Sequence, residues 1–226
     1  MNILLEDNHC LAVNKPAGLA TQSPKSFPSL EAQVKTYLRE TYHKPGRVYL
    51  GIPHRLDRPV SGVILFAKQS KSAQRLAGQF RERQVKKVYW AMLEGEVETE
   101  TGIWEDWLRK VPDEPRVVQA TTEEPQAKLA RMSYRVMQVL EGKSFIQFIP
   151  ETGRMHQIRV QAALRGWPVV GDDLYGAKSS FPVEDGIALH ARSLTVLHPI
   201  RYEPMTIVAE LPESWDAFSI TDTFCE

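Results

Sequence analysis

The chain has 226 residues, of which 42% are hydrophobic and 25% charged, a composition typical of a globular protein with an apolar core. No apolar run reaches the length of a membrane-spanning helix, and the N-terminus does not resemble a signal peptide, so we expect no membrane association. The two cysteines, Cys10 and Cys225, lack metal-binding spacing, and we expect them to be reduced thiols of a cytoplasmic protein.

The charges are balanced in number but unevenly placed. There are 28 Lys and Arg residues and 28 Asp and Glu residues. Residues 54–90 carry nine basic residues against two acidic ones, whereas residues 94–124 carry ten acidic residues against three basic ones. A basic block can bind phosphate even in a neutral chain, although a charge run by itself more often solvates a helix face. We expect the acidic segment to face away from any nucleic acid.

The hydrophobic pattern predicts short strands alternating with helices along the chain. Strands are predicted at residues 2–5, 10–14, 63–67, 87–93, 130–140, 144–149 and 205–210. Helices are predicted after the capping residue Ser29, from Ser70 to about Arg83 with a buried stripe of Ala73, Leu76, Ala77 and Phe80, and over 155–165. Residues 94–127 are expected to form hairpins and loops. Because no linker or repeat divides the chain, we predict one α+β domain over 1–226, with a central mixed, mostly antiparallel β-sheet flanked by helices.

The segment His54-Arg55-Leu56-Asp57-Arg58-Pro59-Val60-Ser61-Gly62 is the strongest candidate site. It places one carboxylate between two arginines, in a loop that leads into the predicted strand 63–67. Nearby guanidinium groups favour the ionised form of a carboxylate even when it is partly buried. Asp57 is therefore a candidate nucleophile or base.

Three further segments combine unusual residues. Lys15 lies at the end of a predicted strand, before a Pro-Gly turn, although the pattern also suits a plain turn. Tyr89 lies on the predicted strand 87–93, where a tyrosine is usually part of a core but can also stack on a base. A third group stands at the start of the predicted helix 155–165, a position suited to binding anions. It comprises Arg154, His156, Gln157 and Arg159.

A metal site is not expected. The chain has six histidines, and four of them could in principle meet two aspartates, but no HxH, HExxH or paired CxxC spacing is present. The residues concerned are His54, His156, His190, His198, Asp57 and Asp172. Arginines near each of them would repel a divalent cation, so a metal-dependent hydrolase is a distant alternative. Phosphate-binding glycine loops are absent, and the HRLD segment lacks the partners of a kinase catalytic loop.

Six motifs follow one another along the chain: NKPAGL, HRLDRPVSG, KKVYWA, TGRMHQIRV, GDDLYG and LHARSL. In this order they resemble the motifs of the RluA-type pseudouridine synthases, over about residues 14–199. The resemblance implies a single catalytic domain with an RNA-binding cleft, no separate S4-like RNA-binding module, and isomerisation of uridine without cofactor or metal. It also implies an RNA partner, namely a stem-loop of ribosomal or transfer RNA, and we expect a monomer.

The resemblance also implies roles for individual residues. Asp57 matches the catalytic aspartate, and Arg159 matches the arginine that pairs with it. Tyr89 matches the tyrosine that packs on the target base and can take part in proton transfer. Arg55 matches the arginine that fills the gap left by a flipped nucleotide, and Leu189 matches the apolar residue under the base. Lys15, Arg154, His156 and Gln157 are expected to contact the RNA.

The sequence leaves the reaction route open. Asp57 can attack the sugar C1′ atom or remove a proton from C2′, and both routes need an ionised carboxylate. The target base must leave the helical stack in either case, because an enzyme cannot reach it inside a duplex. A non-catalytic RNA-binding protein on the same fold is the alternative to the isomerase.

Overall fold

The computed structural model describes residues 1–24 and 27–220 and divides into two compact units. The first unit comprises Met1–Lys87 and Ala191–Glu210, and the second comprises Val88–His190 and the chain from Leu211 onward. Cys225, one of the two cysteines predicted to be reduced, lies outside the described residues. Cys10 is a buried free thiol.

The first unit combines an antiparallel set of strands with two helices. Its strands are β1 (Asn2–Glu6), β2 (Cys10–Lys15), β3 (Ser61–Ala67), most of β9 (Leu189–Leu197) and β10 (Pro204–Val208). They are ordered β1-β2-β3-β9, with β10 on β9. Its helices are α1 (Leu30–Thr41) and α2 (Ser70–Arg81). Apolar side chains of β2, β3, α2, β9 and β10 form its core.

Both helices of the first unit begin as the sequence predicts, but one predicted buried residue is wrong. Ser29 caps α1, its hydroxyl accepting a hydrogen bond from the backbone N–H of Ala32 at 3.3 Å. On α2, Ala77 is exposed, whereas Gln79 is buried. The Gln79 amide bonds both backbone groups of Leu197 on β9 at 2.8 Å. Its hydrogen bonds compensate for its burial, which hydrophobic periodicity does not anticipate.

The second unit is built on five antiparallel strands in the order β4-β8-β7-β5-β6. They are β4 (Lys86–Glu94, which starts in the last residues of the first unit), β5 (Thr101–Lys110), β6 (Val117–Gln119), β7 (Lys128–Leu140) and β8 (Lys143–Pro150). Helix α3 (Gln157–Leu164) follows, then 3₁₀ turns at Asp173–Tyr175 and Glu213–Phe218. The acidic segment thus contains the β5–β6 hairpin, in agreement with the hairpins predicted there.

The class predicted from the sequence, α+β with a mostly antiparallel sheet, is confirmed. The strand β9 was not predicted, although its motif LHARSL was noticed. Its sequence lacks a clear alternation because eight of its nine residues are buried or half-buried. Helix α3 is also shorter than predicted, because His156 adopts a left-handed conformation (φ 52°) and the helix begins only after it.

Candidate active site

A buried lysine fixes the loop that carries Asp57. Lys15, at the end of β2, is 0% exposed, and its ammonium group donates to three backbone carbonyl groups. Two belong to its own turn, Pro16 at 2.9 Å and Leu19 at 2.6 Å, and the third is Arg58 at 3.1 Å. Burial lowers the pKa of Lys15 to about 7, and the charge of Asp57 acts in the opposite direction. One cation therefore joins the Lys15 turn to the residue that follows Asp57.

The residue before Asp57 is held just as closely. The Thr21 hydroxyl donates to the carbonyl oxygen of Leu56 at 2.9 Å and accepts from its N–H at 3.2 Å. The carbonyl oxygen of Asp57 itself accepts from the N–H of Val60 at 3.1 Å, which closes a turn. Both backbone neighbours of Asp57 are thus anchored by side chains of one preceding loop, which limits how far its carboxylate can move.

The two arginines beside Asp57 have different environments. Arg58 donates through Nε to the carbonyl oxygen of Gly18 at 2.9 Å, so both its side chain and its backbone bind the Lys15 turn. Arg55 is exposed, and among the described residues its side chain has no hydrogen bond or ion pair. Arg58 thus connects the Asp57 loop to the Lys15 turn, whereas Arg55 is accessible to a ligand.

His54 attaches the start of this loop to helix α2. Its Nε2 atom accepts from the N–H of Leu65 at 2.9 Å, and its ring stacks on Phe80 with 4.5 Å between centroids. Burial, together with the smaller effect of the Lys87 charge, lowers the pKa of His54 to about 3. The ring is therefore a neutral structural acceptor, which accounts for this histidine without a metal.

In the second unit, Arg159 forms a buried ion pair with Asp172. Its Nε and Nη2 atoms donate to the two carboxylate oxygens at 2.6 and 2.7 Å. The side chains are only 6% and 1% exposed. Such bidentate geometry fixes the plane and direction of a guanidinium group. The motifs TGRMHQIRV and GDDLYG, which are separated by ten residues in the sequence, meet in this pair.

A second contact between the same two motifs lies beside the first. His156 Nδ1 is 2.9 Å from the hydroxyl oxygen of Tyr175, which also accepts from the N–H of Val117 at 3.0 Å. The Arg159 guanidinium lies 5.2 Å from the centre of the Tyr175 ring. His156 and Arg159 are three residues apart, as are Asp172 and Tyr175. The start of α3 and the GDDLYG motif are therefore joined by two neighbouring side-chain pairs.

The remaining polar residues at the start of α3 hold the turn before it. Gln157 is 5% exposed, and its amide oxygen accepts from the Thr152 hydroxyl at 2.7 Å and from the Arg154 N–H at 3.1 Å. Its amide nitrogen donates to the carbonyl oxygen of Arg131. Arg154 donates through Nε to the carbonyl oxygen of Leu129 at 2.8 Å. Gln157 therefore organises this turn from inside the protein.

Tyr89 and Leu189 lie in the strands of the second unit. Tyr89 is half-buried on β4, opposite Phe148 of β8. Leu189, at the start of β9, is 3% exposed. The preceding residue, Ala188, accepts through its carbonyl oxygen from the N–H of Met92 on β4 at 3.0 Å. The backbone leading to Leu189 is thus tied to the strand that carries Tyr89.

One group of potential metal ligands occurs in the described part of the chain: Asp7, Cys10 and His198. Hydrogen bonds explain it. His198 Nδ1 accepts from two backbone N–H groups, those of Ile200 and Arg201, so its proton is on Nε2, which donates to Asp7 at 2.8 Å. Burial and the charge of Asp7 raise the pKa of the Cys10 thiol to about 12. These side chains fit a structural cluster between β1 and β9.

The chain matches the family model for RNA pseudouridylate synthase over residues 9–164. The chain belongs to this family. It is 34% identical to ribosomal large subunit pseudouridine synthase C of Rickettsia felis over 226 residues, covering 99% of this chain and 70% of the relative. It is also 35% identical to an RNA pseudouridine synthase of Zymomonas mobilis, with 94% of both chains covered.

Solved structures agree with this assignment. The structure of human RNA pseudouridylate synthase domain containing 4 matches with a TM-score of 0.80 at 23% identity, covering 96% of this chain and 93% of the human one, which supports the fold. That of human RNA pseudouridylate synthase domain containing 1 matches with a TM-score of 0.73 at 25% identity, covering 93% and 83%. The resemblance noted in the sequence is thus confirmed, and the chain is an isomerase that forms pseudouridine in RNA.

The sequence identified this pseudouridine synthase but missed residues that support its site. Nothing in the sequence around Thr21 indicates its role, because its hydroxyl forms hydrogen bonds with Leu56, 35 positions away. Asp172 and Tyr175 belong to a motif that was noticed, yet neither was assigned to Arg159. No helix in the described ranges is long and apolar enough to cross a membrane.

Proposed function

We propose that this pseudouridine synthase modifies uridine in ribosomal RNA, with Asp57 as the acting carboxylate. The named relative from Rickettsia felis is a ribosomal large subunit enzyme, which favours ribosomal over transfer RNA. The observation that carries the assignment of Asp57 is its anchored loop, in which Lys15 and Thr21 hold the residues on both sides of it. A carboxylate that must act on one sugar carbon needs such a fixed position.

The reaction exchanges one bond to the sugar for another. The bond between N1 of uracil and C1′ breaks, the base turns, C5 bonds to C1′, and the proton on C5 moves to N1 overall. Asp57 acts on the sugar, at C1′ or at the C2′ proton, and Arg159 pairs with its charge. Tyr89 packs on the base and accepts or relays the C5 proton. Leu189 supports the base from below.

RNA contacts complete the proposed site. Unstacking the target nucleotide costs a few kcal/mol, and the exposed Arg55 offsets part of this cost by filling the vacated space. Arg154 and His156 flank the entrance to α3 and contact the RNA. Lys15 and Gln157 act differently from the sequence-based expectation. Their buried polar atoms bind protein groups, so we assign them to positioning the two loops.

The remaining proposals concern the state of the protein. We propose that residues 1–226 act together as one catalytic domain. The reaction needs no electron transfer and no metal-bound nucleophile, so we propose that it proceeds without cofactor. We further propose a monomer that acts in the cytoplasm, where ribosomal RNA is available.

Replacement of the carboxylate tests this function. We expect Asp57→Asn to abolish pseudouridine formation in ribosomal RNA, because an amide supplies neither a nucleophile nor a base, while RNA affinity stays within about 3-fold of wild type. Asp113→Asn is the matched control, an exposed aspartate in the second unit with φ 58°, where Asn is tolerated. Pseudouridine can be counted by mapping modified positions after incubation with unmodified RNA. Turnover retained in Asp57→Asn contradicts the proposal.

A further inference from the structure

Three cations lie between the end of α2 and the first two residues of β4, and we call them the basic turn: Arg83, Lys86 and Lys87. Arg83 and Lys86 are exposed, and Lys87 is half-buried. Within residues 1–24 and 27–220, none of the three side chains has a hydrogen bond or an ion pair. The neighbouring carboxylate, Glu82, instead lies 3.4 Å from Arg81. The basic turn is therefore a concentration of uncompensated positive charge.

The surroundings of Lys87 make its positive charge unfavourable in the absence of a bound anion. Burial lowers the pKa of the Lys87 ammonium, and the charge of Arg83 lowers it further. The His54 ring, whose pKa is lowered by the charge of Lys87, is neutral and offers no counter-charge. A half-buried cation next to another cation is stabilised when an anion binds both.

The helix that precedes the basic turn does not explain it. Cations favour the C-terminus of a helix through its macrodipole, but this effect fades beyond the last turn. Arg81 is the basic residue of the last turn of α2. Arg83, Lys86 and Lys87 follow the C-cap residue Glu82, so their charges lie beyond the helix.

The basic turn adjoins the Asp57 loop within the same unit. Phe80, in the last turn of α2, stacks on His54, which stands three residues before Asp57. The charge of Lys87 contributes to the lowered pKa of the His54 ring. The ring in turn accepts a hydrogen bond from Leu65 of β3 at 2.9 Å, which fixes the contact between loop and helix. The uncompensated charges therefore lie next to the base of the candidate catalytic loop.

We propose that the basic turn is a phosphate-binding site for the RNA backbone close to the target nucleotide. This inference rests on the proposed function, since a polyanion must reach the Asp57 loop for its phosphates to meet these cations. The contact is to phosphate and not to a base edge, so it adds affinity without reading sequence. It assigns an affinity role to Arg83, which precedes the KKVYWA motif, together with the two lysines that open this motif.

The backbone of Arg83 offers a way to separate affinity from folding. Arg83 has φ 58°, a left-handed conformation that favours glycine after a helix end. Its N–H donates to Phe80, and that of Gln84 to Gln79. Helix α1 ends in the same way, with His43 at φ 49°. Arg83→Gly thus removes a charge while relieving strain, and His43→Gly relieves equivalent strain without removing a charge from the basic turn.

The test measures binding of a fluorescently labelled RNA stem-loop with unpaired loop uridines over a range of KCl concentrations. We expect Arg83→Gly and Lys86→Ala each to raise Kd about 5-fold, and each to reduce the slope of log Kd against log salt by about one. Arg83→Lys keeps the charge and should bind within 2-fold of wild type. Melting temperature should be equal to or higher than that of wild type for Arg83→Gly.

The controls are His43→Gly and Arg39→Ala, at the end of the other helix of the same unit, which should leave Kd and the salt slope unchanged. Wild-type affinity and slope in the Arg83→Gly Lys86→Ala double variant would overturn the inference, as would equal losses in the controls. Failure of the proposed function is distinguishable, because the wild-type protein would then form no pseudouridine in ribosomal RNA, whatever the affinities of these variants.

Discussion

The ion pair between Arg159 and Asp172 allows the structural and catalytic roles of one arginine to be separated. Asp172→Asn keeps the size of the side chain but removes the charge opposite Arg159. Because both side chains are at most 6% exposed, the variant removes the charge of the carboxylate that binds this buried guanidinium through two hydrogen bonds. Breaking such a pair costs about 3–5 kcal/mol. The retained amide oxygen still accepts one hydrogen bond, so we expect a loss of about 3 kcal/mol.

This loss is large enough to measure. For a chain of this size, 1 kcal/mol lowers Tm by about 2–4 °C, so Asp172→Asn should melt about 6–12 °C below wild type. Arg159→Met should also be destabilised, since it leaves a buried carboxylate. The double variant Arg159→Met Asp172→Asn contains neither charge, and we expect it to recover about 2 kcal/mol relative to the sum of the single losses. Thermal and urea unfolding of the four proteins complete the cycle.

Activity then decides what Arg159 does. Asp172→Asn should reduce the rate of pseudouridine formation about 10- to 100-fold, because the guanidinium remains but loses its fixed direction. The double variant should be folded and inactive. A double variant that is both stable and active would show that Arg159 has no catalytic role. Unchanged stability in Asp172→Asn would refute the energetic reasoning about the buried pair.

Two further predictions concern the Asp57 loop. Lys15→Met removes the donor to three buried carbonyl groups, so we expect about 2–4 kcal/mol less stability and about 100-fold less activity, measured by urea unfolding and initial rates. Because the folded pKa of Lys15, about 7, lies below its ordinary value, the unfolded chain binds more protons above pH 7. Stability should therefore rise between pH 7 and 10 through this group, and Lys15→Met should lack that part of the rise. Gly62→Ala should cost about 3 kcal/mol, because φ is +115° and a Cβ atom would collide with the backbone of Ala191. Normal melting of the Gly62→Ala variant would contradict this close approach.

The sequence predicted helices and strands well where their signals, such as helix caps, come from neighbouring residues. The cap at Ser29 depends on residues within one turn of each other, and the structure reproduces it. The prediction that Ala77 is buried was wrong, because α2 packs against β9, which lies more than a hundred positions away in the sequence. There Gln79 satisfies two backbone groups of Leu197, and a polar residue takes a buried place.

The candidate site was predictable as a set of residues but not as a set of contacts. Motif order predicts Asp57, Arg159 and their neighbours as site residues, because a motif keeps residue types at fixed spacing. It could not show that Lys15 faces inward, since a lysine beside a turn is normally solvated and only the three carbonyl groups around it make burial tolerable. Gln157 was misjudged for the same reason, as its partners at Thr152 and Arg131 come from another strand and turn.

The basic residues of this protein fall into two kinds, those whose side chains bind protein groups and those whose side chains are exposed. Lys15 is buried and donates its hydrogen bonds to backbone carbonyl groups, and Arg159 is buried and paired with a carboxylate, so both side chains are bound to protein groups. Arg55 and Arg83 are exposed and have no described partner. A polyanionic substrate can gain binding energy only from cations of the second kind, since those of the first have already exchanged their hydration for protein contacts. Charge counted along the sequence therefore overstates the surface available to RNA, and the satisfied or unsatisfied state of each cation is the better guide to where the backbone binds.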